Sequence, residues 1–263
     1  MQETTEIEDT IIADNKTSNN NIEFIIEIEG LKKSFNEKQV LKNISLKVKK
    51  GENIVVLGKS GSGKSVTIKC IVGMIIPDNG SVKVLGTEVG ELNNDQLKEL
   101  RQKIGFLFQS GALYDSMTVK ENLAFSLQRV LNIKDETEIE QRINEVLEGV
   151  GLIDAIDKMP ADLSGGMRKR IALARTLIVK PEIILYDEPT TGLDSITSRE
   201  ISELILQMQK KYQTTSIIIT HDMKCAEIVA DRIEIINEGE FIAQGSYEEL
   251  KNSKDEFVSS FFK

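Results

Sequence analysis

The chain has 263 residues, with 33 basic against 42 acidic side chains, a formal charge of -9, two cysteines and a single histidine, His221. That length suits one large domain or two small lobes with a full core. Two cysteines exclude a disulfide framework and a four-cysteine zinc site, one histidine excludes histidine-rich metal sites, and the acidic balance disfavours nonspecific nucleic-acid binding.

Residues 1–21 read as a disordered acidic tail without the basic start and apolar core of a signal peptide. Residues 22–29 and 40–49 alternate apolar and polar side chains, as strands with one wet face do. The short apolar run 53–58 predicts a buried strand ending at Gly58. It leads into a helix over 64–74. Two more strands are expected at 81–86 and 104–108. Thr118 and Glu121 have capping-box spacing before a helix. Ile139, Ile143, Val146, Leu147 and Val150 share one face of the next helix, with Gly149 and Gly151 near its end.

Residues 182–187 and 214–220 read as buried parallel strands, separated by a helix over 200–212. Residues 232–245 predict a closing hairpin that turns at Asn237–Gly239. Ser246 and Glu249 cap a short last helix. Strands, then helices, then strands predict an α/β domain over 22–250 with a helical insertion at roughly 95–170. Residues 251–263 form a C-terminal extension. The longest mostly apolar runs, 54–58 and 70–76, fall far short of the ~20 residues of a membrane span.

The run GKSGSGKS (Gly58, Lys59, Ser60, Gly61, Ser62, Gly63, Lys64, Ser65), continued by Val66, matches G-x-x-x-x-G-K-[ST]. It lies between a buried strand and a helix start, where backbone amides can curl around phosphate. Lys64 can neutralise the β- and γ-phosphates, and the Ser65 hydroxyl can ligate Mg²⁺. In IILYDEP, Asp187 stands at a strand end, placed to hold Mg²⁺, and Glu188 could polarise an attacking water. Ser164, Gly165 and Gly166 precede an amphipathic basic helix and offer a second phosphate-binding helix start. Two such starts share what reads as one Mg²⁺ apparatus.

In this order, GKSGSGKS, Gln109 in FLFQS, LSGGM, LYDEP, TGLD (191–194) and THD (220–222) resemble the ATP-binding subunit of an ABC transporter, over about residues 22–250. The resemblance implies a P-loop NTPase fold of ABC type, with an N-terminal antiparallel β subdomain and a helical subdomain insertion. It implies ATP and Mg²⁺ as cofactors, ATP hydrolysis coupled to transport, and no nucleic-acid partner. It also implies a head-to-tail dimer in which Ser164, Gly165 and Gly166 hold the partner's γ-phosphate. Gln109 would touch Mg²⁺, Leu193 and Asp194 would lie in the loop crossing the dimer interface, and His221 would contact the γ-phosphate. Phe35 falls where the family stacks an aromatic on adenine; a strand-edge core residue is the rival reading. The implied setting is the cytoplasmic face of the inner membrane, beneath an integral membrane permease.

Met167 replaces the usual Gln of the signature, and Met167-Arg168-Lys169-Arg170 departs from the usual glutamine-rich continuation. With the segment 110–125, this resembles the ATPases of Mla-type phospholipid transport, which work with MCE-domain proteins. An ABC ATPase for another small molecule remains the alternative. A soluble non-transport ABC ATPase fits less well with one cassette, a short insertion and this charge. Ala112, Leu113, Tyr114 and Met117 either dock the permease's coupling helix or pack inside the helical lobe.

Overall fold

The computed structural model describes residues 23–262; the tail expected at 1–21 lies outside the described residues. Period-two burial builds the first hairpin. Strands β1 (Phe24–Phe35) and β2 (Lys38–Lys49) pair antiparallel, with Ile44, Leu46 and Val48 buried between exposed Ser45, Lys47 and Lys49. Strand β3 (Asn53–Leu57) is buried at every position and feeds helix α1 (Lys64–Ile71). The helix stops short of residue 74 because Gly73 takes φ 64° and its amide donates to Cys70 O, a glycine stop. Strand β4 (Asn79–Val84) pairs with β1, and β5 (Thr87–Glu88) closes that edge.

Helix α2 (Asn94–Gln102) starts at a capping box between Asn93 and Gln96. Strand β6 (Ile104–Leu107) follows, inside the range expected to be helical, and forms the far edge of the central sheet. Helices α3 (Val119–Val130), α4 (Glu136–Gly149) and α5 (Gly165–Leu177) then pack together. The Thr118–Glu121 capping box opens α3, an arrangement that contributes about 1 kcal/mol. Strand β7 (Ile183–Asp187), helix α6 (Ser195–Tyr212), strand β8 (Thr215–Thr220) and helix α7 (Met223–Val229) restore the α/β alternation. Strands β9 (Arg232–Asn237) and β10 (Glu240–Gly245) form the hairpin. Glu238 and Gly239 both have positive φ, 46° and 82°, the combination two-residue hairpins prefer. Two short helices, α8 (Tyr247–Lys251) and α9 (Glu256–Ser260), follow.

The strands lie in the order β5-β4-β1-β2-β10-β9-β3-β8-β7-β6. Strands β9, β3, β8, β7 and β6 run parallel, and one parallel pair, Glu240 with Asn43, joins them through β10 to the antiparallel half. Alternation along β3 sends Ile54 and Val56 into one core and Val55 and Leu57 into the other, as the strand period requires. The first core lies between the two halves of the sheet and α1, and includes Ile26, Leu46, Ile68 and Cys70. The second lies under α3 to α7 and includes Leu123, Ile143, Ile171, Tyr186 and Cys225. Among the described residues, no helix is long and apolar enough to cross a membrane. The parallel strands β3, β7 and β8 therefore deliver three loops to one edge of the sheet, where α/β folds place their ligands.

Candidate functional site: a phosphate loop facing paired carboxylates

The loop after β3 turns sharply at Gly58, where an added Cβ would collide with the Ile236 backbone. Gly63 takes φ 110° and forms the N-cap of α1 without any side-chain cap. The first amides of α1 are therefore not claimed by a capping side chain, which suits them to phosphate oxygens. Lys64 is buried, and its Nζ donates to Gly58 O at 2.7 Å and Lys59 O at 3.1 Å. Burial lowers its pKa from the ordinary lysine value, while Glu188 and Asp187 nearby pull it back up. Ser65 Oγ donates to Asp187 Oδ1 at 3.0 Å.

A cleft of about 550 Å³ opens over this loop. Lys59, Ser60, Gly61 and Val66 line it with Gly58, Gly63, Lys64 and Ser65, whereas Ser62 turns inward and is buried. Gln109, Asp187, Glu188, Thr191 and His221 complete the lining. Glu188 takes φ 53°, a conformation that costs a non-glycine residue about 1–2 kcal/mol. Its amide donates to Ile219 O at 2.9 Å. Its Oε2 accepts from Thr191 Oγ1 at 3.0 Å and lies 2.7 Å from His221 Nδ1. Thr190 Oγ1 donates to Asp222 Oδ2 at 3.0 Å, binding the loops after β7 and β8 to each other.

The second helix start stands apart. Ser164 caps α5 by accepting from Met167 N at 3.2 Å. Ser164, Gly165, Gly166, Leu193 and Asp194 line a surface hollow of about 500 Å³ that shares no residue with the cleft over the P-loop. Asp194 caps α6, and the Thr197 hydroxyl, followed by the Thr197 amide, holds its carboxyl below the usual range. Phe35 ends β1 at 43% exposure, with Lys33 Nζ 5.5 Å from its ring centroid. It is not a core residue, and it does not line the cleft.

The ABC transporter family model matches residues 41–191. This chain belongs to the ABC transporter family. It is similar to the probable ribonucleotide transport ATP-binding protein of Mycobacterium leprae, 39% identical over 236 residues, covering 90% of this chain and 68% of that protein. It is also similar to the intermembrane phospholipid transport system ATP-binding protein of Haemophilus influenzae, 37% identical over 239 residues, covering 91% and 90%. Among solved structures, it resembles a dimeric ATP-binding cassette in a post-hydrolysis state bound to ADP and Pi. The TM-score is 0.77 and the identity 31%, over 84% of this chain and 98% of that one.

The chain is thus the ATP-binding and ATP-hydrolysing subunit of an ABC transporter, with the P-loop cassette fold and ATP with Mg²⁺ as its ligands. The donors fit the cation. The Ser65 hydroxyl touches the Asp187 carboxylate, and both line the cleft together with Gln109. Among the described residues, no group of three or more His, Cys, Asp or Glu could hold a metal unaided. Mg²⁺ bound by one or two protein groups fills the rest of its shell with substrate phosphates and water.

In this ABC subunit the segment after Gln109 divides between the helical core and an open groove. Leu113 packs against the helical core, while Ala112 and Tyr114 line a groove of about 480 Å³ with Phe106, Phe108 and Phe125. The Tyr114 and Phe125 rings meet edge to face at 5.0 Å. Met117 lines neither that groove nor the core. Sequence reasoning quoted Thr191 within TGLD and Lys169 in the run after the signature but gave neither a role; Thr191 holds Glu188, and Lys169 is buried behind the site. A hydroxyl three residues after a carboxylate carries no signal by itself.

Proposed function

We propose that two copies of this ATPase close head to tail, so that Ser164, Gly165 and Gly166 of one chain complete the P-loop cleft of the other. The observation that carries this reading is the separation of the two helix starts into hollows with no shared residue. Within the cleft, Lys64 and the amides of Gly61 to Ser65 hold the β- and γ-phosphates. Phe35 takes the adenine. Glu188 polarises a water that attacks the γ-phosphorus, the bond to the bridging oxygen breaks, and ADP leaves. His221, with Nδ1 engaged by Glu188, keeps Nε2 for a γ-phosphate oxygen. Asp194 shapes the loop that meets the partner. Ser65, Asp187 and Gln109 would hold Mg²⁺, which offsets negative charge on the phosphates.

A mixing experiment tests the composite site. Ser164→Arg chains and Lys64→Ala chains are each expected to lack turnover. Mixed, they regain it, because one site of the mixed pair is intact. No recovery in verified mixed dimers overturns the reading.

The subunit then drives a separate permease from the cytoplasmic face of the inner membrane, with the Tyr114 groove as its docking face. The two relatives differ in the cargo named for them, ribonucleotide for one and phospholipid for the other. Transport of a small molecule of unspecified class takes in both, and the comparisons support that broader reading better. The finer reading, phospholipid export or import with an MCE-domain partner, rests on Met167, on residues 110–125 and on the Haemophilus relative. Purification of the intact complex from membranes decides between them: an MCE-domain protein supports the lipid reading, and a periplasmic solute-binding protein overturns it.

A further inference from the structure

Lys169 is a buried lysine on α5, 8% exposed, that does not line the cleft. Its Nζ donates to Gln109 O at 2.5 Å and, more weakly, to Glu188 O at 3.4 Å. One ammonium therefore touches the backbone of two site residues that lie 79 positions apart in the chain and on different loops. Charge-assisted bonds of this kind are shorter and stronger than neutral ones. A buried cation persists only where acceptors satisfy it. Here the acceptors are carbonyls, and Asp187 and Glu188 add a favourable field that opposes the effect of burial. Six residues along the same helix, Arg175 donates to Ala112 O at 2.7 Å and Gly111 O at 3.2 Å. Helix α5 thus grips the segment 109–112 at two points, and only the Lys169 point also reaches Glu188. Glu188 needs such support, because its φ of 53° lies in the left-handed region.

We propose that Lys169 is a positioning residue for ATP hydrolysis, pinning the Gln109 and Glu188 backbones in the register that aims the Glu188 carboxylate into the cleft. This rests on Glu188 as the carboxylate that polarises water. A bond from the helix that begins at Ser164 also ties the arrival of a partner at that helix start to the placement of Glu188.

The test uses the full chain in its transporter complex, with Lys169→Met, Lys169→Gln, Lys169→Arg and Glu188→Gln assayed together. Lys169→Met is expected to lower kcat roughly 10- to 100-fold, as small misplacements of reacting groups do, with KM for ATP within about twofold. Lys169→Arg restores most of the rate, and Lys169→Gln, which keeps donors without the charge, falls between. Wild-type kcat in Lys169→Met overturns the proposal, and so does a loss expressed in KM. Should Lys169→Met not fold, Lys169→Gln and Lys169→Arg carry the test: equal kcat losses in both overturn it. Glu188→Gln separates the two claims. If it retains turnover, the role of Glu188 fails; if it loses turnover while Lys169→Met does not, only the role of Lys169 fails.

Discussion

Helices α1 and α5 both begin at glycine-rich turns, yet their first turns are built differently. The cap of α1 is Gly63, with no side chain to offer an acceptor. The cap of α5 is Ser164, whose hydroxyl already accepts from Met167 N. A bare first turn needs acceptors from outside, and a phosphate supplies them. A capped first turn is stable by itself and still presents a hydroxyl and a positive helix end to a visitor. On the proposed head-to-tail reading, that difference would separate a resident nucleotide site from a surface that completes one only on contact.

The sharpest break of this comparison is chemical. Glu188→Gln should cut turnover by a hundredfold or more (the rough scale of general-base catalysis) while ATP binding to the α1 start persists; a steady-state phosphate-release assay beside a binding isotherm reads both. Ser164→Arg should remove nearly all turnover of the homodimer and leave ATP affinity of the isolated chain unchanged, because its own P-loop is intact. Equal loss of binding would place both helix starts in one site. His221 is the chain's single histidine, so one imidazole NMR signal reports on it without assignment. ATP with Mg²⁺ should shift that signal in the Glu188→Gln dimer, and an unmoved signal removes His221 from the phosphate site.

Two smaller effects concern stability. Ser164→Ala should lower it by about 1 kcal/mol, the usual value of a serine cap, whereas no substitution at α1 removes a side-chain cap because none is there. Glu234, which lines neither hollow, serves as a control. It is buried near Arg232 and Glu52, and burial raises its pKa from 4.5 to about 7. The folded protein therefore holds this proton more tightly than the unfolded chain does. Its contribution to stability is present in full below about pH 4.5 and is lost as pH rises through 7. The melting temperature of Glu234→Gln should accordingly fall less between pH 6 and 8 than that of the parent, with turnover unchanged at pH 7.

What local chemistry specifies was legible in the sequence. The buried strands β3, β7 and β8 announce themselves as apolar runs, the boxes at Thr118–Glu121 and Ser246–Glu249 form as their spacing requires, and Glu238–Gly239 turns the hairpin. The Asn93–Gln96 box was equally readable, yet α2 was covered only by the broad helical range 95–170 and its cap was not named. Tertiary proximity was not legible. Lys169 reads as one charge in a basic helix, and only folding brings it to Gln109 and Glu188. Asn122 likewise looks like a surface residue of α3. It is fully buried, its side chain donating to Tyr114 O, Met117 O and Thr118 O while accepting from Tyr114 N. These pins hold the segment that follows Gln109, and no periodicity marks them. Phe35 shows the remaining gap: its sequence position implies adenine, while its exposure alone shows only that the core does not claim it.

The two buried cysteines fall one in each core: Cys70 on α1, behind Lys64 and Ser65, and Cys225 on α7, just after His221. Burial pushes their thiols up to about 11 and about 12. Both thiols are shielded by burial, so an alkylating reagent reacts mainly when the surrounding layer opens. The labelling rate at Cys70 therefore times fluctuations behind the P-loop, and the rate at Cys225 times those behind His221. The native chain carries two such clocks, one in each core.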